Sequence, residues 1–195
     1  MTFPQDFTFP DQKVKTAGVA ALSIAGLAVG HRVVVQAGGC IGLWPRALAD
    51  YFAHVYTFEP SQENFACLVQ NIAGLANVSA SPSALGDTYG RVGLTRPKAQ
   101  AGLWRVEGDG PIPRVALDDV LSDAAVDAIV LDVEGSEVAA LRGAERLIAA
   151  HRPLLWFEYL HHQDAITDFL RTHGYTAPVP GLGADFYSVH TSRVH

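Results

Sequence analysis

An α/β fold on a mostly parallel sheet, with helices on both faces, is predicted by three observations. Apolar runs alternate with segments of helical periodicity along most of the chain, the pattern of strands buried on both faces and joined by crossover helices. A glycine-rich turn, Gly38-Gly39-Cys40-Ile41-Gly42, directly follows the run that opens Val33-Val34-Val35. An acid, Glu59, closes the next apolar run, Val55-Tyr56-Thr57-Phe58.

Taken in order, residues 1–30 read as an N-terminal helical segment. The apolar run Ala17 to Gly30 follows Lys13 and Lys15 but is too short to span a bilayer. Asp6, Asp11, Pro4 and Pro10 before it are unlike an export signal, so it reads as a helix packed on the sheet. Strands are expected at 33–37, 55–58, 77–81, 127–132 and 153–158. Pro45 suits the first turn of a helix after Gly42, where a missing N–H costs nothing, and Ser61 can cap the next one. Phe65, Leu68, Val69 and Ile72 then form an i, i+3, i+4, i+7 stripe. A second stripe, Val138, Leu141, Ala144 and Ile148, predicts one long helix from Ser136-Glu137 to the residue before Pro153. Residues 88–116 are weaker in pattern and rich in glycine and proline, which predicts a hairpin-like insertion. Tyr175-Thr176-Ala177 and Phe186-Tyr187-Ser188-Val189, separated by the turn-rich stretch Pro178 to Gly183, read as a closing antiparallel pair.

At 195 residues, 49% hydrophobic and 17% charged, residues 1–195 are expected to form a single domain around one core. A net charge of −6 gives no footprint for nucleic acid, and no membrane partner is expected. Two cysteines, Cys40 and Cys67, make neither a disulfide framework nor a zinc site and fit a cytoplasmic location. Cys40 reads as a small turn residue and Cys67 as packing. Trp44, Trp104 and Trp156 read as core rather than as pocket walls.

Glu59 lies 17 positions after Gly42, close to the spacing at which an acid on the second strand takes ribose hydroxyls while glycines admit the ligand to the first. That pairing predicts a nucleoside ligand. The glycines at 38, 39 and 42 do not fit G-x-G-x-x-G, which disfavours a dinucleotide.

Val34-Val35-Gln36-Ala37-Gly38-Gly39-Cys40-Ile41-Gly42, followed by Tyr56-Thr57-Phe58-Glu59-Pro60 and Asn64, resembles the FkbM family of S-adenosylmethionine-dependent methyltransferases. The likeness continues through Ala84-Leu85-Gly86-Asp87, Leu117-Asp118-Asp119, Leu131-Asp132-Val133-Glu134-Gly135-Ser136-Glu137, Leu141-Arg142-Gly143-Ala144-Glu145, Arg152-Pro153 and Glu158, spanning residues 33–160. It implies a Rossmann-like methyltransferase fold with a mostly parallel seven-stranded sheet and an antiparallel C-terminal strand. It also implies S-adenosylmethionine as cofactor, held by Gln36, Gly38, Gly39, Cys40, Gly42, Glu59, Pro60, Asn64, Ala84, Leu85, Asp87 and Asp132. The chain departs from the family at Gln36, where an aspartate facing the methionyl part is usual, and at Gly39-Cys40, where alanine and asparagine are common.

The activity so implied is O-methylation of a sugar, glycan or small-molecule hydroxyl. A hydroxyl acceptor needs a base, and open α/β sheets bind ligands at the carboxyl ends of their strands. Candidate catalytic residues are therefore Asp132, placed first, with Glu134 and Glu158, and more weakly His161 and His162. The competing role for Asp132 and Glu134 is to accept backbone N–H groups at a helix start, and for the histidines to cap a helix or stay solvated. Asp132, Glu158 and His161 are of metal-binding types, but their spacing demands no metal and none is expected. A homodimer is allowed. Two rival functions are a non-catalytic nucleoside-binding protein that keeps the fold, favoured by Gln36, and an NAD-dependent oxidoreductase, which Glu59 alone would also suit.

Overall fold

The computed structural model describes residues 1–2, 11–96 and 104–194, with only the backbone of 11–15. In chain order the elements are α1 (Asp11–Leu27), β1 (Val33–Ala37), α2 (Leu43–Leu48), β2 (His54–Phe58), α3 (Gln62–Ile72), β3 (Val78–Ser81), β4 (Ala84–Leu85), β5 (Gly90–Thr95), β6 (Arg105–Val115), α4 (Leu117–Val120), β7 (Val126–Leu131), α5 (Glu137–Arg142), α6 (Glu145–His151), β8 (Leu154–Glu158), α7 (Gln163–Thr172), β9 (Val179–Pro180) and β10 (Asp185–Ser188). Seven strands form one sheet in the order β3-β2-β1-β7-β8-β10-β9. β3, β2, β1, β7 and β8 run parallel, while β10 is antiparallel to β8 and β9 to β10. The expected α/β architecture with an antiparallel C-terminal strand is thus present.

Both faces of the sheet are covered, which explains why β7 (VDAIVL) is buried at every position. Its Ile129 and Leu131 pack with Leu141, Ile148, Phe157 and Phe169 on one side. Its Ala128 and Val130 pack with Ala20, Ile24, Leu48, Phe52 and Trp156 on the other. The period-2 alternation of a strand sends successive side chains to opposite faces. Asp127 is the exception to the apolar run. Arg32 forks onto it, Nη2 to Oδ1 at 2.6 Å and Nε to Oδ2 at 3.1 Å, and the Arg32 backbone N–H adds a third bond at 2.7 Å. Burial raises the Asp127 carboxyl, but these Arg32 hydrogen bonds outweigh it and hold the group below its ordinary value.

The insertion is a hairpin: β5 and β6 are antiparallel, and β4 adds to β6 in a separate three-stranded sheet. The tip, 97–103, lies outside the described residues. Among the described residues no helix is long and apolar enough to cross a membrane.

Two expectations are corrected. The long helix from 136 to 152 is two short ones, α5 and α6, broken at Gly143-Ala144. The cause lies far off in sequence. The Asp118 carboxylate accepts from the N–H groups of Arg146 (2.8 Å) and Leu147 (2.9 Å) and so caps α6, while Asp118 N–H donates to the Gly143 carbonyl at 2.8 Å. A Cβ on Gly143 would overlap the Gly86 carbonyl oxygen. Leu141, Ala144 and Ile148 nevertheless stay on one buried face, because both short helices lie on the same side. Second, Tyr175-Thr176-Ala177 is not a strand. Tyr175 makes only an isolated bridge to His190, and Thr176 N–H donates to the Val189 carbonyl. The strand beside β10 is instead β9, from the stretch read as turn, because Gly181 N–H closes on the Asp185 carbonyl at 2.9 Å and folds 179–180 back along 186–187.

Candidate active site

β1 lies between β2 and β7, so the chain's direction of winding reverses there and a crevice opens at the carboxyl ends of β1 and β7. The turn after β1 meets it with three left-handed residues, Gly38 (φ 83°), Cys40 (φ 47°) and Gly42 (φ 94°). At Gly38 the requirement is double: besides its positive φ, a Cβ would overlap the Asp132 carbonyl oxygen of the next strand end. Asp132 N–H in turn donates to the Ala37 carbonyl at 3.0 Å, stitching the two strand ends together.

Glu59 stands at the end of β2, only 4% exposed. Cys40 N–H donates to its Oε2 at 2.7 Å and Ser61 N–H to its Oε1 at 2.8 Å. One carboxylate thus joins the glycine turn to the start of α3, where Ser61 Oγ accepts from Asn64 N–H at 3.4 Å as the expected cap. Burial pushes the Glu59 carboxyl up to about 7, against the lowering pull of the Ser61, Cys40 and Asn64 hydrogen bonds. Glu59 N–H donates to the Ser81 carbonyl, which brings the end of β3 alongside.

Gln36 is fully buried, with its amide turned into the sheet: Oε1 accepts from Thr57 Oγ1 at 2.6 Å, and Nε2 donates to the Ala37 carbonyl at 3.1 Å. Thr57 therefore occupies the polar end of Gln36, a pairing that only the register Gln36↔Thr57 of β1 and β2 makes visible. Ala84 and Leu85 are buried in β4, and Pro60 is half-buried beside Glu59. Asp87 is exposed, 3.7 Å from Arg114 of the hairpin.

Across the crevice, the turn after β7 carries Asp132 and then Glu134 (φ 53°) and Gly135 (φ 104°). The backbone N–H groups here are taken by Glu137, whose Oε1 accepts from Val133 at 3.2 Å and Gly135 at 3.3 Å. The capping role considered for Asp132 and Glu134 is filled by Glu137 at those two amides. Glu134, Glu158 at the end of β8, and His161 come together, with one ligand-type atom from each within 4.8 Å of the others. His161 Nε2 accepts a 3.4 Å contact from Arg105 Nη2 of the hairpin, a neighbour no local pattern announces. His162, the residue before α7, is exposed at φ 51° and makes no side-chain cap. Trp156 is core and stacks on Tyr187, Trp44 is half-buried, and Trp104 lies beneath Arg96 at 5.6 Å.

The Methyltransferase FkbM domain model matches residues 36–177. The chain belongs to the FkbM methyltransferase family. Among solved structures, this FkbM chain is similar to the methyltransferase FkbM of Methylobacillus flagellatus, with 22% identity and a TM-score of 0.61 over 85% of this chain and 45% of that one. It thus spans less than half the length of that relative. The fold is shared with the ribosomal protein L11 methylase of Lactobacillus delbrueckii subsp. bulgaricus (16% identity, TM-score 0.56, 95% and 82% covered). It is shared too with precorrin-6y C5,15-methyltransferase of Geobacter metallireducens (13%, 0.54, 97% and 96%). No curated protein matches the chain. The family match runs from β1 through Ala177 and so includes both halves of the crevice.

Proposed function

We propose that this FkbM chain is an S-adenosylmethionine-dependent methyltransferase acting on a hydroxyl of a sugar, glycan or small molecule. The observation that carries the reading is Glu59, a buried acid at the switch point of a methyltransferase sheet, tied to the glycine turn through Cys40 N–H. A carboxylate offers about four lone-pair sites, and after its donors Glu59 keeps capacity for a ribose hydroxyl. Three of the five residues of the turn at 38–42 are glycines, and the turn is tied to Glu59 and so to the start of α3. The adenosyl end thus fits this chain's residues. At the methionyl end Gln36 is a neutral amide and contributes no charge, and its amide groups are bonded within the sheet.

Bound there, S-adenosylmethionine supplies an electrophilic methyl group. The chain's own part is to orient the acceptor hydroxyl in line and take its proton, and alignment of this kind provides much of the acceleration in a displacement. Asp132 is the proposed base: its backbone is pinned to β1 at the crevice. Calorimetric titration of the full chain with S-adenosylmethionine, S-adenosylhomocysteine and NAD tests the reading. Both adenosyl ligands bind and NAD does not, and Glu59→Ala weakens adenosyl binding by about 2 kcal/mol, the scale of a charge-assisted hydrogen bond. Undetectable binding of S-adenosylhomocysteine overturns it. NAD binding with no adenosyl ligand would instead support an oxidoreductase.

A further inference from the structure

The corner built from the ends of β7 and β8 holds more charge than proton transfer at one hydroxyl needs. Glu134 comes from the turn after β7, Glu158 from the last position of β8, and His161 from the loop before α7. All three are half-buried, and they offer two carboxylate oxygens and one imidazole nitrogen within 4.8 Å of one another. Oxygen ligands lie about 2.0–2.6 Å from magnesium- or calcium-sized ions, so trans ligands span roughly 4–5 Å and the three side chains fit around one ion with small rotations. Arg105 Nη2 of the hairpin lies 3.4 Å from His161 Nε2, so a fourth segment of the chain reaches this corner.

An independent observation concerns the turn that bears Glu134. Glu137 is 1% exposed, and its Oε1 holds the amides on either side of Glu134, as a supporting group holds a ligand loop. Its Oε2 meets no hydrogen-bond partner among the described residues. A buried carboxylate oxygen left without a donor, on the residue that holds the turn of Glu134, favours positive charge near that turn.

We infer that Glu134, Glu158 and His161 form a divalent-cation site that coordinates the acceptor. The site itself stands on these residues alone; its role rests on the methyl-transfer reading above. Three protein ligands leave open positions for an acceptor oxygen, and coordination lowers the pKa of that hydroxyl. Its proton passes to Asp132, and an oxygen lone pair forms the new bond to the methyl carbon. The C–S bonding pair stays with sulfur, leaving a neutral thioether. An acceptor with two adjacent oxygens, such as a vicinal diol, suits such an ion.

The test is titration of the full chain with Mn²⁺, read by the electron paramagnetic resonance signal of the free ion, alongside calorimetric S-adenosylhomocysteine binding. Wild type should take up one Mn²⁺ with a Kd of roughly 10⁻⁴ M, the range of weak oxygen-ligand sites. Glu158→Gln and His161→Gln should each weaken uptake at least about tenfold, as loss of one strong ligand does, while S-adenosylhomocysteine affinity is retained. Arg105→Ala should leave uptake equal or tighter, because it removes a competing cation. No Mn²⁺ uptake by wild type overturns the site. Unchanged uptake in both ligand variants overturns it as well. The two readings fail separately: loss of S-adenosylhomocysteine binding with Mn²⁺ uptake intact sinks the methyltransferase proposal alone, and the converse sinks only the cation site.

Discussion

The two sides of the crevice differ in how their polar groups are satisfied. On the β1–β2 side, Glu59 carries the charge, and the donors around it are backbone amides and Asn64; Gln36 and Thr57 satisfy each other. On the β7–β8 side, Glu134, Glu158 and His161 crowd together beside Asp132 and within reach of Arg105. The first is a backbone cradle finished by the fold itself. The second gathers acidic and imidazole side chains from three separate segments into one corner. Binding of a nucleoside suits the former, since fixed amides need no rearrangement, and chemistry at a hydroxyl suits the latter, where charge is concentrated.

The largest effect should come where the two sides touch. Gly38→Ala adds a Cβ that overlaps the Asp132 carbonyl and forces alanine to φ 83°. A clash with backbone together with left-handed strain should destabilise the fold by about 4 kcal/mol, read as a lowered urea midpoint. A variant as stable as wild type would show that the two strand ends are not locked together. Next comes Asp132→Asn, which should lower kcat by about 10²–10³ with S-adenosylhomocysteine affinity within about twofold, because a general base acts only in the transition state. An equal loss in binding and turnover would move Asp132 to the cradle side of the comparison.

The smallest effect expected is one of pH. The Glu59 carboxyl titrates at about 7 in the free protein. Ribose hydroxyls donate to its ionised form, so binding favours the deprotonated state and affinity should rise with pH through 7, by about tenfold from pH 6 to pH 8. Calorimetry with S-adenosylhomocysteine across that range measures it, and Glu59→Ala should flatten the profile. For folding the sign is opposite: a raised folded-state pKa means the native state holds the extra proton, so this group's stabilisation is full below pH 4.5 and is lost as pH rises to 7.

Much of the architecture was legible because it depends on local pattern. The run Val33–Val35, the stripe through Leu68 and Ile72, and the Ser61 cap each declare themselves within a few residues. Glu59 was legible as well, since strand and turn lengths set its distance from the glycines. The break at Gly143 was not: the cap that ends one helix and starts another is Asp118, 28 positions from Arg146. The amide of Gln36 was likewise hidden, because Thr57 reaches it only through strand register. So was the pairing of Arg105 with His161, across 56 positions.

What the residues determined by themselves is the alternation that buries a parallel sheet, the turn that only glycine tolerates at 38, and the acid that closes the second strand. These follow from periodicity and from backbone sterics, which are properties of short segments. Tertiary structure alone decided which polar groups are consumed inside the fold and which stay available. It turned Gln36 inward, assigned the amides around Glu134 to Glu137, and drew Glu134, Glu158 and His161 into one corner. Hydrogen bonding and charge act through space, so their outcome depends on which strand ends the sheet order makes neighbours.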